Sequence, residues 1–228
     1  MSKTMLLAAS AALVLVAIGG AHAGRLPVIG VGQQPKHTIL FPQRGARLLY
    51  DQSDADNGNA IRAENFESDL DSYDTEAADD FKVPAGETWK ISEVYVAAIY
   101  FEGSRSADSF NVTFYESRKG KVGKRVKACM NAGYRYDTQF DFGTEYITCK
   151  VQLTQGAYFV AVQANTVFSE GGDWGWLTNN TVRRNPSVWR NPGDCYATGC
   201  TDFAPTKTCI PYDEGGDFAF ALLGRRTG

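Results

Sequence analysis

The chain has 228 residues, of which 21% are charged, and its formal net charge at pH 7 is −3. This length suits one domain with a sizeable core, and 11 Tyr, 13 Phe and 23 Gly favour strands and turns over helices. The only histidines are His22 and His37. His22 lies in the predicted signal peptide and His37 in the predicted flexible arm, both described below. Because a Ser-His-Asp or Cys-His mechanism and a histidine-bound catalytic zinc each need a rigidly held imidazole, they are excluded.

The first 23 residues have the three parts of a secretory signal peptide. Lys3 is the positive region, residues 5–18 are an uncharged apolar run, and Ala21-His22-Ala23 is a cleavage signal. The apolar run is shorter than the ~20 residues that a spanning helix needs. The sequence thus predicts export, cleavage after Ala23 and no membrane span, with an extracellular or periplasmic destination. Residues 24–46, rich in Gly, Pro, Gln and Arg, are predicted to be a flexible N-terminal arm.

Residues 51–80 hold 11 acidic residues and one basic residue, Arg62. This segment is too polar to be predicted as a packed element. It is either a solvated acidic loop or, because oxygen-rich flexible segments suit calcium, a Ca²⁺ site. The candidate calcium ligands are the following carboxylates: Asp51, Asp54, Asp56, Asp79, Asp80 and Asp217.

Alternating apolar residues become dense after this segment and predict about nine short strands. The first, 81–83, is predicted to stop at Pro84. In the next strand, the apolar positions change from odd to even residue numbers between Ile91 and Val94, which indicates a β-bulge. Later candidates are 110–115, 147–153, 158–164, 173–177, 188–189 and 218–222. The prediction is an all-β fold, a jelly-roll-like sandwich of two antiparallel sheets over residues 47–224, followed by a tail at 225–228.

A basic run opposes the acidic segment. It consists of Arg118, Lys119, Lys121, Lys124, Arg125 and Lys127. The run has no stacking aromatic residues within it, so it predicts a solvated hairpin and no nucleic-acid partner.

Five cysteines lie in the exported part of the chain, where disulfides are expected. Spacing favours Cys129–Cys149 across a long hairpin and Cys200–Cys209 across a proline-containing loop. Cys195 is then the free thiol, although a Cys195–Cys209 pair is the alternative within this group. A structural zinc site is not expected, because the chain has no C-x-x-C pair.

Trp174 and Trp176 are two residues apart, so on a strand they share a face. Two exposed indoles would form a platform that stacks on sugar rings, with Asn179, Asn180, Arg190 and Asn191 as polar contacts at its rim. The opposing interpretation is that both indoles fill the core.

Three stretches of the chain resemble a group of secreted bacterial β-sandwich proteins without an established activity. They are AADDFKVPAGETW at 77–89, GAYFVAVQA at 156–164, and WRNPG at 189–193 with Cys200 downstream. The resemblance covers roughly residues 48–224 and implies a jelly-roll-like domain that stands alone or is appended to extracellular enzymes. It also implies a small residue near position 195, in agreement with an unpaired Cys195.

The sequence therefore predicts a secreted, non-catalytic binding module whose ligand is a carbohydrate or a cell-envelope glycan. The alternative is a structural or interaction protein of the envelope or matrix that uses Cys195 or a sheet edge. A weaker alternative is a secreted hydrolase built on carboxylates such as Glu93 and Glu145. The sequence gives no prediction of the oligomeric state.

Overall fold

The structure of the protein, a computed structural model, describes residues 27–30, 46–54, 57–103, 106–136, 144–211 and 216–227. The predicted signal peptide, its cleavage site, most of the predicted arm and Asp56 lie outside these residues.

Two sheets pack into a sandwich-like all-β fold, which confirms the predicted fold class. The smaller sheet contains Val28–Gly30 (β1), Asn59–Arg62 (β3), Ala98–Phe101 (β6), Asp173–Asn179 (β11) and Asp217–Phe218 (β14). The larger sheet contains Arg47–Gln52 (β2), Glu64–Asn65 (β4), Glu76–Val96 (β5), Ser109–Arg118 (β7), Lys121–Ala132 (β8), Tyr134–Tyr136 (β9), Glu145–Asn165 (β10), Val188–Arg190 (β12), Ala204–Pro205 (β13) and Phe220–Thr227 (β15). A 3-10 helix at Ser68–Tyr73 and single helical turns at Phe168–Gly171 and Thr206–Cys209 connect them.

The two longest strands, β5 and β10, pair antiparallel and form the centre of the large sheet, in the order β13-β12-β5-β10-β7-β8. β5 runs through Pro84, where the sequence predicted a stop. The proline is tolerated because the ladder jumps from the Val83–Gly156 pair to the Thr88–Thr154 pair, so no hydrogen bond is required there. The β15–β5 register also shifts beside Ile91, where the parity change predicted a bulge.

At three places the described residues differ from the sequence prediction. The acidic segment is not a polar loop, because it supplies β3, β4 and the start of β5 and buries Ile61 and Phe66. β1, inside the predicted flexible arm, pairs with β3. The predicted tail at 225–228 is part of β15 as far as Thr227, which pairs with Thr88. In each case the pairing of backbone groups, which composition does not reveal, outweighs local polarity.

The main core lies between the sheets, and all four tryptophans belong to it. A smaller apolar cluster lies on the opposite face of the large sheet, which we call the outer face. It consists of Ala78, Phe159, Ala161 and Val188, with Tyr115, Val122 and Phe203 packed against it.

Candidate functional site

The two indoles of the predicted sugar platform are in the core. Trp174 and Trp176 share one face of β11, as their spacing predicted, but both side chains are 0% exposed. The Trp176 ring stacks on Phe218 with centroids 4.7 Å apart, and its Nε1 donates to the carbonyl of Ala219 at 2.9 Å. The expectation of an exposed platform is therefore wrong, because β11 is a central strand of the small sheet and both of its faces are covered.

The polar residues assigned to the platform rim are not assembled around the indoles. Asn179 is buried and accepts a hydrogen bond from the backbone N–H of Thr181. Asn191 is also buried, and its Nδ2 donates to the carbonyls of Ser72 and Asp74 at 2.9 and 2.8 Å. Asn191 thus holds distant backbone segments together, whereas Asn179 closes a local turn. Among the assigned rim residues, Arg190 lines a large cavity, described below.

The acidic residues assigned to calcium bind groups of the protein instead. Asp79 Oδ2 accepts from the Phe218 backbone N–H at 2.6 Å, and Asp217 Oδ2 accepts from the Arg183 backbone N–H at 2.7 Å. Asp80 accepts from Nε of Arg184 at 3.2 Å and from Nδ2 of Asn185 at 2.5 Å. These carboxylates therefore anchor neighbouring segments.

The two remaining described ligands, Asp51 and Asp54, contact other groups. Asp51 accepts from Ser53, and Asp54 lies 3.5 Å from a guanidinium nitrogen of Arg183. Within the described ranges, no three His, Cys, Asp or Glu side chains are arranged to hold a metal ion.

A cavity of about 990 Å³ opens on the outer face of the large sheet, and we call it the groove. Its lining comes from β7, β8, β12, β13 and the segments next to them. The lining residues are Tyr115, Lys119, Gly120, Lys121, Val122, Gly123, Arg125, Asn185, Pro186, Val188, Arg190, Asp202, Phe203, Ala204 and Pro205. A groove of this size and mixed lining is typical of a ligand site.

Three lining side chains, Tyr115, Arg190 and Phe203, form a connected floor in the groove together with the buried Glu76, which does not itself line the cavity. The Tyr115 hydroxyl donates to Glu76 Oε1 at 3.2 Å, and Arg190 donates to Glu76 Oε2 from Nε at 2.9 Å and from Nη2 at 2.5 Å. The Arg190 guanidinium lies 4.6 Å from the ring centroid of Phe203, and that ring meets Tyr115 edge to face at 5.9 Å. Burial, then the Glu76 charge, raises the pKa of Tyr115 to about 12, so this phenol stays a neutral hydrogen-bond donor.

One wall of the groove is the β7–β8 hairpin. Its two-residue turn places Lys119 and Gly120 at positive φ, as a hairpin turn of this type requires. A Cβ at Gly120 would lie 2.6 Å from Oδ1 of Asn185, so the turn packs directly on the loop that Asp80 anchors. The segment between Cys200 and Cys209 forms another wall through Asp202, Ala204 and Pro205, and it also supplies Phe203 to the floor.

The predicted disulfides are confirmed. Cys129–Cys149 and Cys200–Cys209 both form with Cα atoms 5.8 Å apart, and Cys195 is free and exposed. The second bridge closes the loop that carries Phe203, so it holds this wall of the groove in place.

The carboxylates considered for a hydrolase lie elsewhere. Glu145 is fully buried, and burial raises its pKa well above the usual range. The Tyr100 hydroxyl and the Trp174 indole N–H oppose this shift in part, but neither reaches hydrogen-bond geometry with the carboxyl. Glu93 lies 3.5 Å from Nε of Arg135. Neither carboxylate lines the groove or a second cavity of about 400 Å³ beside Lys90, Lys150 and Arg225.

The groove was not predicted from the sequence. Comparison with known proteins adds no assignment to it. No family model, curated protein or solved structure matches the chain. In the part of the chain that the structure describes, no helix has both the length and the apolar character to cross a membrane. The two disulfides are compatible with an extracellular or periplasmic location.

Proposed function

We propose that the protein is a secreted, non-catalytic module that binds carbohydrate in the groove on the outer face of the large sheet. The observation that carries this proposal is the preorganised floor of Tyr115, Glu76, Arg190 and Phe203. Aromatic rings pack against the apolar faces of sugars, while the surrounding guanidinium and hydroxyl groups donate hydrogen bonds to sugar oxygens.

The floor needs little rearrangement to bind. Glu76 is 6% exposed and holds both Tyr115 and Arg190 in fixed positions, so the side-chain entropy that binding normally costs is already lost in the free protein. The resemblance of three sequence stretches to secreted β-sandwich proteins is in line with a binding role but assigns no ligand. Export through the predicted signal peptide is part of this proposal.

Binding of the disulfide-bonded protein to immobilised polysaccharides tests the proposal. Phe203→Ala should weaken binding by about tenfold, because one aromatic contact contributes ~1 kcal/mol. The control is Tyr136→Ala, since Tyr136 is an aromatic residue at the surface that does not line the groove, whereas Phe203 is half-buried within it. Equal losses in the two variants, or no binding to any polysaccharide, would reject the groove as a carbohydrate site. The alternative of an envelope or matrix interaction protein would then be preferred.

A further inference from the structure

The cations of the groove are not neutralised evenly. Arg190 is paired with the buried carboxylate of Glu76. Lys119, Lys121 and Arg125 are exposed, and the described residues provide no ion-pair partner for them. Nearby, Arg118 is paired with Glu116 at 3.0 Å and does not line the groove. Lys124 and Lys127 are also exposed but do not line the groove, so three of the five cations of this hairpin without an ion-pair partner among the described residues lie in the groove lining.

The lining contains a single acidic residue, Asp202, against these three cations. Because the groove walls are protein with a low dielectric constant, the field of the cations is focused into the cavity and attracts anions. A neutral sugar chain would gain nothing from this arrangement, whereas a chain that carries negative groups would.

The cations are also spread along the groove. Lys121 and Arg125 are four residues apart on β8, and the residues opposite them on β7, Arg118 and Tyr115, are three apart, which corresponds to about 10 Å at the usual strand rise. Arg125 pairs with Tyr115 of the floor, and Lys121 is beside the turn. An extended chain with repeated charges can meet both cations at once, whereas one small anion contacts donors only within about 3 Å of its oxygens.

We infer that the ligand of the groove is an acidic polysaccharide, a sugar chain with repeated carboxylate or sulfate groups that Lys119, Lys121 and Arg125 bind. This inference rests on the proposed carbohydrate function. Single-stranded nucleic acid is disfavoured, because it needs successive open aromatic rings for its bases. The groove lining offers two rings, Tyr115 and Phe203, and these meet edge to face, so they do not present the successive parallel faces that a run of bases needs.

The test compares polymers that differ only in charge. Polygalacturonate is paired with its carboxyl-reduced form, and dextran sulfate with dextran, with free sulfate and single-stranded DNA as further probes. Affinity for the acidic polymers should exceed that for their neutral counterparts by about tenfold or more. It should also fall severalfold between 50 and 500 mM salt, because exposed charges are screened. The carboxylate and sulfate polymers together show which acidic group is preferred.

The variants assign the effect to residues. Lys121→Gln combined with Arg125→Gln should weaken acidic-polymer binding by about tenfold, since two exposed ion pairs are lost. The matched control is Lys127→Gln, an exposed cation on the same strand that pairs with Phe114 of the main core and does not line the groove. These exposed side chains do not hold the fold, and near-UV circular dichroism checks this.

Each outcome decides between the two proposals. Equal, salt-independent binding of neutral and acidic polymers overturns the acidic ligand and leaves the carbohydrate module standing. Absence of binding to every polymer overturns both. Tighter binding of DNA than of any glycan identifies a nucleic-acid site instead, and free sulfate that competes at the same concentration as the polymer reduces the groove to a small-anion site.

Discussion

Replacing each core tryptophan of β11 with phenylalanine should separate packing from hydrogen bonding. Both Trp174 and Trp176 are fully buried on one face of the strand, so Trp→Phe removes a similar volume at each. Only Trp176 loses a hydrogen bond, because its Nε1 donates to the Ala219 carbonyl at 2.9 Å, while Nε1 of Trp174 has no partner with hydrogen-bond geometry.

The size of the difference follows from these contacts. A cavity of several atoms costs about 1–2 kcal/mol of unfolding free energy in both variants. Trp176→Phe also removes one of the two donors of the buried Ala219 carbonyl, which keeps the Ala97 N–H at 3.0 Å, and this lost hydrogen bond adds about 0.5–1.5 kcal/mol. Trp176→Phe should therefore be the less stable of the two by about 0.5–1.5 kcal/mol, and either Trp→Ala change should cost about 3–5 kcal/mol.

Urea unfolding followed by far-UV circular dichroism measures these differences, and the phenylalanine variants retain enough packing to fold if the alanine variants do not. Equal midpoints for the two phenylalanine variants would contradict the hydrogen-bond assignment. Alanine variants with wild-type midpoints and lost glycan binding would show that the indoles are on the surface, and the core description would be wrong.

Three other predictions follow from the groove and the buried carboxylates. Cys200→Ser combined with Cys209→Ser should cost about 3 kcal/mol of stability and weaken glycan binding, because the loop that carries Phe203 is no longer closed. Opening Cys129–Cys149 should lower stability without weakening binding. Calorimetry and a binding assay on both variants compare these effects. Asp80→Ala should lower stability by about 2–3 kcal/mol and weaken glycan binding, because Arg184 and Asn185 beneath the β7–β8 turn lose their hydrogen bonds to Asp80. Wild-type binding in this variant would show that this loop does not support the hairpin wall of the groove. Burial raises the pKa of Asp217 to about 6, whereas the same carboxyl in the unfolded chain ionises near pH 4, so its contribution to the free energy of unfolding falls as the pH rises from about 4 to 6. The urea midpoint should therefore fall less over this pH range in Asp217→Asn than in the wild type. Identical pH dependence of the two midpoints would exclude the assignment.

Features that depend on local pattern were predictable from the sequence. Alternation of apolar residues predicted the all-β sandwich, and the parity change after Ile91 marks an irregularity that the register shift confirms. The disulfides also followed from spacing, because each bridge closes a short loop. The common face of Trp174 and Trp176 was correct, but a period of two cannot tell which face of a strand is covered.

The groove was not predictable because its parts are distant in the chain. The basic run at 118–127 was interpreted as a solvated hairpin since it contains no aromatic residue. The aromatic partners, Tyr115 and Phe203, reach it through sheet order and through the Cys200–Cys209 loop. Similarly, the carboxylates of Asp79 and Asp80 were assigned to a cation because the backbone groups that they bind come from residues more than 100 positions away.

The position of β15 has a consequence for the order of folding. This strand lies between β2 and the second half of β5, so residues from both ends of the domain must meet before the central sheet closes. Pairings of such long sequence separation form slowly. A nascent chain therefore cannot complete the sheet until residue 227 has left the ribosome, so the large sheet stays open throughout synthesis.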